Sequence, residues 1–574
     1  MIATEPPASA GVGHAPRSKR TTSSATASRS TRSNGQDALS DRVTLNLIRR
    51  TLCSHQLNDK NRDVQAPIED LLPPLTSRND VDLQLYAFLA IILRDFVQSW
   101  YGKITTDEVF VAEIVHTIAH CTRALEQRFR KVDLESLLLD QIPDILDKHI
   151  TAYRTAHQPV LQHPVEAEPR QVYHSLCPLP YLSPVPSSEK DEDTLSLQQG
   201  NEAVYRQLLV QGVLTILLPT EDLENPCLTS LVEQIFSELI IGNVIAGKAS
   251  QPWVLYEGIC IVGKIFEDRE KHKGEGTTKP QEDETAKVPW GTVHGFFLFL
   301  INVGIFFATS IRLLVSAFTV PSSLPPRFMP LSHKENAKGE PEVNDSPKVA
   351  VLAFGWWSCV SNLIELPSRM PWLSGLLSLM QYGAMSGPGQ VGALDGAVDR
   401  LLSHHIRSLL SPAHHLPPLL RTLRGVLFPN NSSPGKPTLV PPSSETELRA
   451  LRRRAASAVW RMLPARLGRL YLGGRLYASR GQGQGQQGQG QGQGRDEVRE
   501  GDDEEDMIDE VEGILMVLSD EYCNKHLMYG VLELVLVRLM PELSAHGVEE
   551  LWEERLGQGY FDDDNVKKCD GGGR

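Results

Sequence analysis

The chain has 574 residues, 41% of them hydrophobic and 22% charged, with a formal net charge of −14. Domains of roughly 100–200 residues would allow two to four of them in a globular protein of this size. The negative balance argues against nucleic acid, whose phosphates need a basic face, and leaves lipid, membrane or protein as the expected partners.

The first 40 residues are rich in Ser, Thr and Arg and poor in acid, and read as a disordered tail in preference to a transit peptide. The first helical half is expected over 41–268. In LQLYAFLAIILRDFV, Leu85, Phe88, Leu89, Ile92, Leu93 and Phe96 share one helix face. The next helix is expected to open on a Thr105/Glu108 capping box and to carry Phe110, Ile114, Ile118, Cys121 and Leu125 as its apolar stripe. Pro143 should kink or divide the third helical segment. A Pro-rich loop follows, then a helix that stops at Pro219 and another whose start is placed at a Ser230/Glu233 box. Period-two alternation is almost absent, so the fold class is all-α, with two helical halves joined by loops.

Polar linkers at 269–287 and 321–348 bracket an apolar segment, 288–320. The second helical half is placed at 349–543, with a disordered insertion at 481–506 made of a Gly/Gln repeat and an acidic run, and a C-terminal tail at 544–574.

The chain offers little that argues for catalysis. The eight cysteines, Cys53 to Cys569, include no CxxC pair, and no secretory leader is evident, so no disulfide framework or zinc site is expected and the surroundings are taken as reducing and cytosol-facing. GPGQVG at Gly387, Gly389 and Gly392 matches a dinucleotide fingerprint, but a helix rather than a strand is expected before it. His404, His405, His414 and His415 lack partners at ligand-like intervals and read as surface or capping residues. Neither GxSxG nor HExxH occurs. No enzyme activity, cofactor or metal is expected.

Two features point to membranes. The helix capped by Ser444 and Glu447 carries Arg449, Arg452, Arg453 and Arg454, candidate contacts for an anionic leaflet; the bland alternative is a packed helix with a solvated basic side. Val288–Ile311 has no charged residue over 24 positions, about 36 Å as a helix, which exceeds the ~30 Å hydrocarbon core. Phe296, Phe297, Leu298, Phe299, Leu300, Ile301, Ile305, Phe306 and Phe307 are its candidate membrane-inserting or lipid-contacting residues. Four topologies are open: a single span, a hairpin or interfacial helix bent near Asn302–Gly304, a double span returning through 349–364, and a lipid-lined soluble core.

The run LYAFLAIILRDFVQSWYGKITTDEVFVAEIVHTIAHCTRALEQRFRKVDLESLLLDQIPDILDKHITAYRTA, with YRQLLVQGVLTILLP after it, resembles the PX-associated (PXA) domain of a sorting-nexin branch. Trp100-Tyr101, Thr106-Asp107, Val132-Asp133-Leu134 and the ending at Pro219 carry the match. The second half, above all NKHLMYGVLELVLVRLMPEL, is similar to the sorting-nexin C-terminal domain. The resemblance implies two helical domains that co-fold around acyl chains, a lipid or phospholipid partner, possible protein partners, and a place on the cytosolic face of an endomembrane such as endoplasmic reticulum, endosome or vacuole. No intervening segment is long enough for a PX or RGS domain, so phosphoinositide targeting and G-protein regulation are not implied. The family's N-terminal anchor is not recognised, which leaves the central apolar segment as its candidate replacement. Lipid binding, with transfer as an extension, is the leading expectation. A non-catalytic tether or protein-interaction scaffold is the alternative. If the halves pack together, both lie on one side of any bilayer.

Overall fold

The computed structural model describes residues 40–53, 67–105, 109–158, 168–186, 192–275, 327, 348–387, 389–410, 412–428, 431, 440–464, 468–473 and 496–557. The apolar segment 288–320 and the Gly/Gln repeat therefore lie outside the described residues. Among the described residues there is no strand, and the architecture is all-α.

In the first half, α1 (Asp41–Leu52), α2 (Asn79–Ile92) and α3 (Val109–Phe129) form one core of Ile48, Leu52, Tyr86, Ala87, Ala90, Leu93, Val111, Val115 and Ala119. The deepest line on α3 is thus Val111, Val115 and Ala119, with the expected stripe residues Ile114 and Ile118 flanking it half-buried. On α2 the expected face is similarly off-centre: Leu85 and Leu89 are half-buried and Ile92 is exposed. Small residues explain the offset. Ala87 and Ala90 let neighbouring backbones approach closely, so the deepest seat goes to the least bulky positions.

The third segment runs unbroken from Leu134 through a π-helical stretch, Leu137–Gln141, into α4 (Ile142–His157). Pro143 sits in the first turn of α4, after a wider hydrogen-bonding pattern has absorbed the change that a proline otherwise makes by breaking the helix. Next come α5 (Pro169–Leu176) and α6 (Glu192–Leu217). The helix expected to start at Ser230 starts earlier. In α7 (Pro226–Gln234), Asn225 is the cap, accepting from Cys227 N at 3.2 Å and Leu228 N at 3.3 Å, and Pro226 occupies the first turn, where it has no donor to lose. It continues as a π-helical stretch, Ile235–Ala249. The half closes with α8 (Pro252–Glu275), which extends into the expected polar linker.

The second half contributes α9 (Gly355–Leu363), α10 (Pro371–Ser386), α11 (Ala397–Leu410), α12 (Pro412–Leu427), α13 (Glu445–Met462), α14 (Asp496–Leu515), α15 (Glu521–Leu539) and α16 (Val548–Leu556). Two expectations are corrected here. The acidic run is helical from Asp496 onward as the first turns of α14, which packs on α13 beyond the run, where Asp509 lies 2.6 Å from Arg453 and Glu512 lies 2.7 Å from Arg452. The expected tail begins with α16, whose Leu551 and Trp552 are buried against α6.

The halves are packed into each other. Tyr522, Tyr529 and Trp552 share a core with Val210, Leu214, Leu218 and Ile241; Tyr256 and Cys260 share another with Leu451, Ala455, Trp460 and Val511; Cys359 and Cys523 join Ile150, Tyr153 and Tyr173 in a third. The helix α15 is the wedge, touching α3, α4, α5 and the π-helical stretch of the first half.

Candidate functional site: a locked seam and two open apolar faces

Around α15 the seam is polar as well as apolar. Glu202 on α6, buried, accepts from Tyr529 Oη at 2.7 Å and lies 3.1 Å from Arg206 and 3.4 Å from Lys525; Arg206 in turn reaches Glu238 at 3.1 Å. Glu533 accepts from Tyr181 Oη at 2.6 Å and also from Tyr205, the two rings stacked 3.7 Å apart. Burial and the neighbouring carboxylate push both tyrosine hydroxyls far above their usual range.

A chain of histidines lies at the other end. His149 bonds Tyr173 Oη at 2.8 Å and the Val517 carbonyl at 3.1 Å, and His526 bonds the Tyr522 carbonyl at 3.0 Å and His174 at 3.1 Å. Burial holds His149 and His526 down at about 4. The bonds of Glu202 to Tyr529 and Lys525, of Tyr181 and Tyr205 to Glu533, of His149 to Val517 and of His174 to His526 cross between the halves.

Against this closed interior stand two apolar faces that nothing described covers. On α7 and its π-helical continuation, Leu231, Ile235 and Leu239 recur every four residues beside Phe236, Ile240 and Val244, and all six are exposed, Leu239 at 57%. The opposite side packs on α6 and α15. Pro226–Ala249 is, among the described residues, the one helix long and apolar enough to cross a bilayer, with 17% of its most apolar window buried. The second face is α10, which has no buried residue: Trp372, Leu376, Leu377, Leu379, Met380 and Tyr382 are all exposed, Trp372 at 67% and Leu379 at 66%. Six large side chains at that exposure present an apolar area on the order of several hundred Å², the scale at which a patch marks an interaction surface.

Residues 78–262 match the PXA domain family. That stretch runs from the start of α2 into α8 and includes the first apolar face. An uncharacterized protein of Saccharomyces cerevisiae is 22% identical over 365 residues, 63% of this chain and 65% of that protein. PXA domain protein 1 of Schizosaccharomyces pombe is 27% identical over 247 residues, 43% of each chain. Sorting nexin-13 of Homo sapiens is 24% identical over 196 residues, 32% of this chain and 20% of the nexin. The chain thus covers less than two thirds of the length of each of these relatives. No solved structure matches it significantly.

The PXA resemblance read from the sequence stands over the matched residues. Phe296, Phe297, Leu298, Phe299, Leu300, Ile301, Ile305, Phe306 and Phe307 fall outside the described residues. The arginines of α13 are described, and each has an acidic neighbour: Arg449 pairs with Glu445 at 2.5 Å, Arg452 with Glu512 at 2.7 Å, Arg453 with Asp509 at 2.6 Å, and Arg454 with Glu257 at 3.5 Å. Ser444 caps the helix as expected, accepting from Glu447 N, while the Glu447 carboxylate turns back to Ser443 N at 2.8 Å. The return span considered at 349–364 is instead α9, packed on α4 through buried Cys359 and the Arg154–Asn362 carbonyl bond of 2.6 Å. At nine residues, about 14 Å, it is too short to cross a hydrocarbon core.

The glycine run after α10 follows a helix, and a Cβ on Gly392 would meet Leu352 Cδ1 at 2.5 Å, so the close approach there is between protein groups. His404 and His405 are exposed on α11; the side chains of His414 and His415 are outside those described. The apolar face of α7 escaped sequence reading because its leucines and isoleucines are indistinguishable from core until their neighbours are known.

Proposed function

We propose that the protein is a membrane-associated, non-catalytic lipid-binding protein of endomembrane trafficking or organelle contacts, seated on the cytosolic face of the endoplasmic reticulum, endosome or vacuole. The supporting observation is the contrast just described: a body whose two halves are locked by buried polar bonds, carrying two exposed apolar faces. Acyl chains are the chemistry that fits such faces, since they demand no hydrogen bonds and gain about 25 cal/mol per Å² of apolar surface covered. Likeness to sorting nexins, whose family name speaks of trafficking, is consistent with this reading. The exposed arginines Arg449 and Arg454 would add attraction to anionic headgroups, each near 1 kcal/mol at the surface. Carrying lipid between membranes is an extension of the same reading.

The test is to purify the full chain, extract it with organic solvent, and quantify phospholipid by mass spectrometry beside Leu239→Asp and Leu379→Asp variants. Roughly stoichiometric phospholipid that falls in the variants is expected. A folded, lipid-free wild type that also fails to sediment with phosphatidylcholine vesicles would overturn the proposal.

A further inference from the structure

A small crevice of about 90 Å³ opens between the halves where the turn after α3 meets Arg327. Lys131, Asp133 and Ser136 line it from one half, and Arg327, Lys348 and Arg538 from the other. Four cations against one carboxylate is a local reversal in a chain of net charge −14. That carboxylate is engaged, because Asp133 accepts from Ser136 N at 3.4 Å.

The donors are organised. Arg327 is buried, its Nη1 bonded to Asp399 and its Nη2 to Glu135, both at 2.9 Å, and Ser403 and Arg407 complete the Glu135 shell at 2.8 and 3.0 Å. These carboxylates cancel its charge but leave its Nε–H without an acceptor. Arg538 is held by its Nε bond to Gln141 Oε1 at 2.7 Å, and Lys348 gives one proton to the Arg327 carbonyl at 3.0 Å, keeping two more. Lys131 is exposed and its ammonium has no partner among the described residues.

Donors from both halves therefore converge here, and among the described residues the Arg327 Nε–H and the Lys131 ammonium have no acceptor. We propose that this crevice binds a phosphate group, whose several oxygens can accept from Lys131, Lys348, Arg538 and the Arg327 Nε–H together. Two sources share that chemistry: a phospholipid headgroup and a free phosphate. Arg327 lies seven residues beyond position 320, the end of the apolar segment, and seven residues span at most about 25 Å. If that segment lies in a membrane, the crevice sits within reach of the headgroup layer. The headgroup source thus rests on the function proposed above; the phosphate chemistry does not.

The experiment uses the full chain, Lys131→Glu, and Lys103→Glu as a control at an exposed lysine elsewhere. Thermal unfolding is followed in increasing sodium phosphate against sodium chloride of equal ionic strength, and flotation with phosphatidylcholine vesicles is measured with and without phosphatidic acid. Phosphate is expected to raise the midpoint of wild type and Lys103→Glu, and its apparent affinity to fall about ten- to hundredfold in Lys131→Glu. If Lys131→Glu also floats less with phosphatidic acid than Lys103→Glu does, the source is the headgroup. Equal flotation with a lost phosphate response identifies a free phosphate. If the two variants respond to phosphate alike, the proposal is overturned, whatever the vesicles show. A wild type that ignores all vesicles would sink the membrane reading while leaving the phosphate result intact.

Discussion

Mild acid should loosen the seam, and the histidine chain sets how much. Each proton there is fixed by its partners. His149 donates from Nε2 to the Val517 carbonyl and accepts at Nδ1 from the Tyr173 hydroxyl. His526 donates from Nδ1 to the Tyr522 carbonyl, so its Nε2 must accept, and the donor is His174 Nδ1–H. His174 in turn shares that proton with Tyr522 Oη at 3.0 Å and accepts at Nε2 from Ser183 Oγ at 3.3 Å. A second proton on His526 would face the N–H of His174. Burial adds its own penalty, and both His149 and His526 are held at about 4 against an ordinary 6.5.

Folded, these rings stay neutral where the unfolded chain protonates, so below pH 6.5 the unfolded state binds more protons and stability falls with pH. Stability is full above about 6.5, and the loss saturates near 4. At pH 5 each ring costs about 2 kcal/mol, and the pair about 4, a large share of the 5–15 kcal/mol of a typical domain. Most carboxylates titrate lower, so the window between pH 6.5 and 5 isolates the histidines. Urea midpoints followed by circular dichroism at several pH values across that window measure the effect. The double variant His149→Gln/His526→Gln should flatten the curve, and a wild-type curve that is already flat would refute the reasoning.

Three further outcomes follow from named contacts. Glu202→Ala leaves Arg206, Lys525 and the Tyr529 hydroxyl short of a buried acceptor and should cost about 3–5 kcal/mol in urea unfolding, with a loss below 1 kcal/mol counting against the seam as drawn. Leu379→Asp touches only an exposed face, so its unfolding free energy should stay within about 0.5 kcal/mol of wild type while sedimentation with vesicles drops roughly a hundredfold if α10 enters the hydrocarbon; unchanged sedimentation would remove α10 from the site. Arg424 is fully buried, with Thr44 Oγ1 its one side-chain hydrogen-bond partner among the described residues, at 2.9 Å, and burial lowers its pKa, so Arg424→Met should raise the unfolding free energy in urea by about 1–3 kcal/mol. A fall would show that the guanidinium is better satisfied than the contacts indicate.

Much of this fold could be read from residues, and the misses have physical causes. Periodicity found α2 and α3 but placed their stripes beside the deepest line, because it weighs large apolar side chains and the tightest approach belongs to Ala87, Ala90 and Ala119. Local chemistry fixed the cap at Ser444, where one hydroxyl decides, and misplaced the start of α7, where Asn225-Pro226 outcompetes Ser230. The acidic run resisted reading for a different reason. Clustered carboxylates repel in isolation, and the run is carried as the start of α14, whose later turns are held on α13, distant in sequence, through Asp509–Arg453 and Glu512–Arg452. The same pairing recasts the basic face of α13, where α14 meets Arg452 and Arg453. The phosphate crevice was beyond reach altogether, since Lys131, Arg327 and Arg538 become neighbours only through the seam.

That seam constrains what the apolar segment can do. The helix α8 ends at Glu275 after packing on α13, and Arg327 re-enters the same body buried between Glu135 and Asp399. A chain that leaves and returns to one packed unit must cross any intervening bilayer an even number of times, because one crossing would strand its ends about 30 Å apart on opposite faces. With α9 folded onto α4, residues 349–364 supply no return span. Epitope tags inserted after Gly547 and at the N-terminus of the chain should therefore meet antibody on the same face of sealed membranes. Tags found on opposite faces would mean that the shared cores of the two halves do not form in the cell.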